Sequence, residues 1–171
     1  FIFAHFINPH SPYVFTKDGG VPTYRGDEND LDIPRRDKYV NQVEYVNQTI
    51  GHLVADIKAN ATKPPIIIIQ ADEGPYPMKQ PSAWQTASAD TLQLKFGSLA
   101  AYYLPDASPE ESANVTSSVN IFRFVFNRYF GTSMPYLPDC SFVFNNTDRP
   151  FKFYAITSEF HPEDPECQRY N

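Results

Sequence analysis

Pro64-Pro65-Ile66-Ile67-Ile68-Ile69-Gln70-Ala71-Asp72-Glu73-Gly74-Pro75 is the stretch on which the reading of this chain turns. Four consecutive isoleucines, entered by two prolines, read as a strand covered on both faces, the pattern of a parallel sheet. Two adjacent carboxylates follow where the strand should stop, and Gly-Pro turns the chain away. Ligands of open α/β sheets bind outside the carboxyl ends of the strands. Asp72 and Glu73 therefore read as a metal site or, equally, as a solvated pair in an ordinary turn. Hard oxygen donors of this kind suit Mg²⁺, Mn²⁺ or Ca²⁺, and serve Zn²⁺ when histidines join them. Neighbouring residues of a strand face opposite ways, so both can reach one ion only where the backbone has left strand geometry.

Working outward, residues 37–59 predict a helix. Tyr39, Val43, Val46, Ile50, Leu53 and Ile57 recur at steps of three and four, with Gln42 and Glu44 largely off that stripe and Asp37 as N-cap. Residues 1–7 are nearly all apolar and predict a second buried strand. Strand, helix and strand then form a right-handed βαβ unit with parallel strands. That arrangement brings His10, in the turn Asn8-Pro9-His10-Ser11-Pro12-Tyr13, towards Asp72. His10 there reads as a metal ligand, an acid or base, or a donor to an anionic substrate. His5, inside the apolar run, reads as a core histidine, with substrate contact as its functional alternative. Lys79 reads as a solvated loop lysine or a point charge for an anionic oxygen.

The remainder predicts a loop over residues 76–91, a third strand over residues 97–104 and an exposed loop at residues 105–111. A helix follows over residues 117–130, with Val119, Phe122, Phe126 and Tyr129 as its buried stripe. Thr116 or Ser117 caps it and Gly131 ends it. Residues 141–144 and 151–156 read as a β-hairpin turning at residues 145–148, and residues from 161 onward as a tail.

The 171 residues suffice for one domain with a real core, and the 14 Phe and 11 Tyr supply large side chains to fill it. A net charge of −6 argues against a nucleic-acid binder, which needs a basic face. No run approaches the roughly 20 apolar residues of a membrane span. The chain opens without a leader on a core-like strand, which points to a segment of a longer protein. Cys140 and Cys167 are either a disulfide, implying an oxidising compartment, or two free thiols. Asn47, Asn60, Asn114 and Asn145 each open an Asn-x-Ser/Thr triplet, weakly in favour of export. There is no Gly-rich phosphate loop, no Gly-x-Ser-x-Gly elbow and no zinc-spaced cysteine cluster.

Two segments carry a resemblance. Phe3-Ala4-His5-Phe6-Ile7-Asn8-Pro9-His10-Ser11-Pro12-Tyr13 resembles the Pro-His-x-Pro-Tyr/Phe segment of sulfatases, and Gln70-Ala71-Asp72-Glu73-Gly74-Pro75 resembles their Asp-His-Gly or Asp-Asn-Gly segment. Residues 1–129 look like the C-terminal part of a sulfatase-like hydrolase of the alkaline phosphatase superfamily, nearest the lipoteichoic-acid-synthase-like (phosphoglycerol transferase) branch. The resemblance implies a three-layer α/β sandwich around a mostly parallel sheet, incomplete here, with the C-terminal hairpin added. It treats residues 1–171 as one partial domain, with a core to about residue 130 and the hairpin and tail beyond. It implies a divalent metal held by Asp72 and Glu73, and ester contacts from His10, with His5 and Lys79 as further substrate contacts. The substrate would be a sulfate or phosphate ester of a glycan or lipid. The nucleophile, and any membrane anchor of an extracytoplasmic enzyme, would lie upstream of Phe1. Glu73 departs from the family's His or Asn. It favours a harder ion, adds negative charge, and leaves open a catalytically silent relative that binds an anionic glycan or headgroup, or a purely structural domain.

Overall fold

The structure is a computed structural model that describes residues 1–23, 35–75, 81–113, 115, 117–144, 149–156 and 167. Lys79, Thr116, the turn at residues 145–148 and the tail from residue 161 fall outside the described residues, apart from Cys167. The chain divides into two compact units, Phe1–Pro65 and Ile66–Asn171.

The first unit is built on α1, Arg35–Asn60. Its register agrees with the sequence periodicity, but it begins earlier than expected. Asp37 therefore sits inside the first turn, where its charge favours the positive end of the helix dipole without capping it. The stripe is half-buried at Tyr39, Val43, Val46 and Ile50, then exposed at Leu53 and Ile57. The fully buried side chains of α1 are polar ones, Lys38 and Gln42. Residues 13–20 pack back on this helix. Tyr13 meets Tyr39 edge-on at 6.3 Å between ring centroids, and Phe15 meets Tyr45 at 4.7 Å. Gly19 takes a positive φ of 79° in a tight turn, closed by the Gly19 N–H to the Thr16 carbonyl and the Thr16 N–H to the Gly20 carbonyl.

The strand expected over residues 1–7 does not form. The backbone there has no regular structure, and Phe1, Ile2, Phe3, Phe6 and Ile7 are exposed. A strand is stable only when a neighbour takes up its N–H and C=O groups, and no described segment pairs with this one. His5 is accordingly exposed rather than a core histidine, with the Phe3 ring 6.4 Å away.

The second unit begins with β1, Ile67–Gln70, which pairs antiparallel with β2, Ala100–Tyr103. The expected parallel partner is thus replaced, among the described residues, by an antiparallel one. Ile67 stands opposite Tyr103 and Gln70 opposite Ala100. Alternation sends Ile66, Ile68 and Tyr102 to one face, against Ile121 and Phe124. None of the four isoleucines is fully buried.

A helix, α2 (Ala89–Phe96), takes the end of the loop expected over residues 76–91 and the residues between it and the expected third strand. Its signals are all present in the sequence. Ser88 caps it by accepting the Thr91 N–H, Asp90 lies in the first turn, Lys95 in the last, and Gly97 follows. Leu92 is buried with Val143 and Ile156. A short α3, Pro109–Ala113, also replaces expected loop. It opens on a capping box: the Glu111 N–H donates to Ser108 Oγ, and the Ser108 N–H to Glu111 Oε2.

The last helix, α4, runs Ser118–Phe130 and ends at Gly131, whose φ of 69° is the expected left-handed cap. Its buried face is not the expected one. Asn120, Ile121, Phe124 and Val125 are buried, whereas Val119 and Phe122 are 43% and 45% exposed. Apolar residues line most of this helix, so periodicity alone does not single out a face. Asn120 decides it. Its amide donates to the Leu137 carbonyl at 2.8 Å and accepts the Leu137 N–H at 3.0 Å, so the polar side chain is buried without loss. Ser117 occupies the N-cap, but its hydroxyl donates to Asp139 and accepts from the Asn120 side-chain amide instead of from a backbone N–H of the helix. The expected hairpin is present as β3, Phe142–Val143, antiparallel to β4, Tyr154–Ala155. Cys140 and Cys167 form a disulfide, resolving the alternative left by the sequence.

Candidate functional site

The acidic turn at the end of β1 is held by the last turn of α2 and by the segment that leads from it into β2. The Ala71 N–H donates to the Leu99 carbonyl at 2.9 Å, and the Gly74 N–H to the Lys95 carbonyl at 2.7 Å. Gly74 is needed for that approach, because a Cβ at this position would collide with the Leu94 carbonyl oxygen. The first bond extends the β1–β2 register by one pair, and the backbone leaves strand geometry in the bend at Asp72 and Glu73.

The two carboxylates have different fates. Asp72 is exposed. Its Oδ1 accepts the Glu73 N–H at 3.0 Å, a local turn contact that leaves the rest of the carboxylate open to solvent. Glu73 turns inward and pairs with Lys95, Oε2 to Nζ 2.7 Å. The Lys95 ammonium also lies 4.8 Å from the centre of the Trp84 ring, held there by the short 3₁₀ turn Trp84–Thr86. Neither Lys95 nor Trp84 was singled out from sequence. The one available signal was the basic residue in the last turn of α2.

His10 belongs to the first unit and Asp72 and Glu73 to the second. His10 is exposed at the tip of its turn, with its N–H donating to the Ile7 carbonyl at 2.9 Å. Its Nδ1 lies 2.6 Å from the Ser11 carbonyl oxygen. A carbonyl only accepts, so Nδ1 carries the proton, and in the neutral ring Nε2 presents the lone pair outward. That tautomer suits proton uptake at Nε2, or donation from Nε2 once the ring is charged.

The turn bearing His10 is fixed by Gln42, which sequence reasoning set aside. Gln42 is 0% exposed. Its Nε2 donates to the His10 carbonyl at 3.0 Å and its Oε1 accepts the Val14 N–H at 2.8 Å. Its place three residues after Tyr39, beside the apolar stripe, was the overlooked signal. An open recess lined by Tyr102, Tyr103, Leu104, Ala107, Pro109 and Ser112 lies at the opposite end of the β1 and β2 pair from Asp72. It is therefore separate from the acidic turn.

The family model described as Sulfatase matches residues 1–129, three quarters of the chain. The chain belongs to the sulfatase family. No curated protein and no solved structure matches it. Sulfatases act on sulfate esters and are typically metal-dependent, and membership carries the expectation of an alkaline-phosphatase-like fold. In this sulfatase the described residues do not assemble a closed metal centre: no three of their His, Cys, Asp or Glu side chains converge. Asp72 suits a hard cation as one oxygen donor. Glu73, committed to Lys95, does not join it. The fit is thus to a single ligand and not to a complete site.

Proposed function

We propose that this sulfatase chain is the C-terminal half of a metal-dependent hydrolase or phosphoglycerol-type transferase of the lipoteichoic-acid-synthase-like branch, acting on sulfate or phosphate esters of a glycan or lipid. The observation that carries the reading is the Sulfatase match together with the exposed carboxylate of Asp72 on its fixed turn. In this reading Asp72 contributes one oxygen to a divalent ion, and the other ligands and the nucleophile come from chain outside residues 1–171. When bound, such an ion supplies Lewis acidity at the transferring group. His10 contacts the ester oxygens through Nε2, donating when charged and taking up a proton when neutral.

The enzyme works outside the cytoplasm in this reading. The disulfide of Cys140 and Cys167 supports that, because such bonds persist in oxidising compartments. No described helix is long and apolar enough to cross a membrane, so an anchor would belong to sequence outside these residues. The test is hydrolysis of an aryl sulfate, an aryl phosphate and a glycerophosphate lipid by the intact protein, with and without a chelator. Cleavage that Asp72→Ala and His10→Ala each abolish is expected. Unaltered cleavage in Asp72→Ala, or no cleavage of any ester with Mn²⁺, Mg²⁺, Ca²⁺ or Zn²⁺ present, overturns the reading. In the second outcome a silent binder of anionic glycans or headgroups takes its place.

A further inference from the structure

Glu73 stands beside Asp72 at the end of β1, where a second metal ligand would be sought, yet it is turned onto α2. Three observations converge on one residue. The Lys95 ammonium pairs with Glu73 at 2.7 Å, the same ammonium sits over Trp84 at 4.8 Å, and the Lys95 carbonyl accepts the Gly74 N–H at 2.7 Å. The Lys95 side chain is only 18% exposed and that of Glu73 36%, so the pair is partly sheltered from water. We propose that Lys95 is a positioning residue. It holds Glu73 as an anchor of the acidic turn and leaves Asp72 as the carboxylate that the turn presents.

The inference rests on the proposed role of Asp72 and adds two consequences. A turn tied at Ala71, Glu73 and Gly74 fixes the direction of the Asp72 side chain, sparing the ordering that ligation would otherwise require. The ammonium also cancels one of two adjacent negative charges. An anionic ester approaching Asp72 then meets about one net charge instead of two, which relieves the repulsion that Glu73 would introduce. Lys95 touches neither ion nor ester in this account; it acts through Glu73.

The test uses the intact protein carrying Lys95→Met, Lys95→Arg, Glu73→Gln and the double change of Lys95→Met with Glu73→Gln. The first readout is Mn²⁺ affinity by titration calorimetry. Removing a group that orients a metal ligand typically costs about 10-fold to 100-fold in affinity. Lys95→Met and Glu73→Gln are each expected to weaken Mn²⁺ binding by about 10-fold, the double variant by the same factor, and Lys95→Arg by less. Losses that multiply in the double variant, or a loss in Glu73→Gln with none in Lys95→Met, overturn the inference, since Glu73 would then act without Lys95. The second readout is amide hydrogen exchange at residues 71–74, which needs no bound metal. Equal acceleration there in Lys95→Met and Glu73→Gln is expected, and an unchanged rate in either overturns the inference. If the wild-type protein binds none of Mn²⁺, Mg²⁺, Ca²⁺ and Zn²⁺, the proposed function fails by itself, and the exchange measurement still decides the role of Lys95.

Discussion

The turn bearing His10 and the turn bearing Asp72 are held by opposite physical means. In the first, Gln42 of α1 reaches two backbone groups, the His10 carbonyl and the Val14 N–H, from a fully buried position. In the second, Lys95 of α2 reaches a carboxylate from a partly exposed position and rests on an aromatic ring. A buried neutral amide is insensitive to salt and costly to remove, because its partners lose their bonds away from water. A half-exposed ion pair is screened, contributes less, and adjusts to charge nearby. The His10 turn is therefore rigid by construction. The Asp72 turn is fixed by its backbone bonds at Ala71 and Gly74, and its side-chain clamp is the part that salt and nearby charge can weaken.

Gln42→Ala should break the comparison most forcefully. It strands the His10 carbonyl and the Val14 N–H and empties a filled site, for a loss of about 3 kcal/mol in the first unit. Denaturant unfolding followed by exchange at residues 10–14 measures it. A loss no greater than that of a surface change would show that the amide does not hold the turn.

Gly74→Ala attacks the other turn through its backbone. The added Cβ meets the Leu94 carbonyl oxygen, which belongs to a helix and yields only if the turn moves. The expected cost is about 2 kcal/mol, confined to the second unit, with faster exchange at residues 71–74. A variant as stable as the wild type would mean that the turn relaxes freely and that Lys95 alone sets its place.

These two clamps also mark how far the sequence could be read. The long helix, the β1 segment and the terminal hairpin announce themselves through local periodicity and turn residues, and they stand where expected. The acidic tip of β1 was legible for the same reason. Gln42 and Asn120 were not. Amphipathic patterning assigns amides to solvent, and both are buried because each satisfies two groups of a backbone segment distant in sequence. Lys95 was missed for a related reason: its partner lies 22 positions away, and no local pattern encodes that pairing. The apolar run at residues 1–7 was read as a strand from composition. Composition specifies the wish to be covered, not the neighbour that does so, and strand formation needs the neighbour. The capping box at Ser108 and Glu111 was local and readable; the proline inside it drew the reading towards a loop.

The finest contrast between the two turns concerns alkaline pH. Burial, and next the neighbouring Tyr13, raise the Tyr39 hydroxyl above its ordinary value of 10.0, on the helix face that carries the His10 turn. A raised value means that the folded state keeps its proton longer than the unfolded chain. The contribution is fully present below pH 10.0 and is lost as pH climbs through the unfolded value towards the folded one. Unfolding of the first unit should therefore ease steadily between about pH 9 and about pH 11. Tyr39→Phe removes the titrating group and keeps the ring against Tyr13, so its stability should fall less over that window. The side-chain clamp of the Asp72 turn is instead the Glu73–Lys95 ion pair. Exchange at residues 13–14 and at residues 71–74, followed across the window in both proteins, separates the two. Tyr39→Phe should flatten the alkaline rise at residues 13–14 and leave that at residues 71–74 alone. Parallel curves in the two proteins at residues 13–14 would remove Tyr39 from the account and leave Gln42 as the whole of what holds the His10 turn.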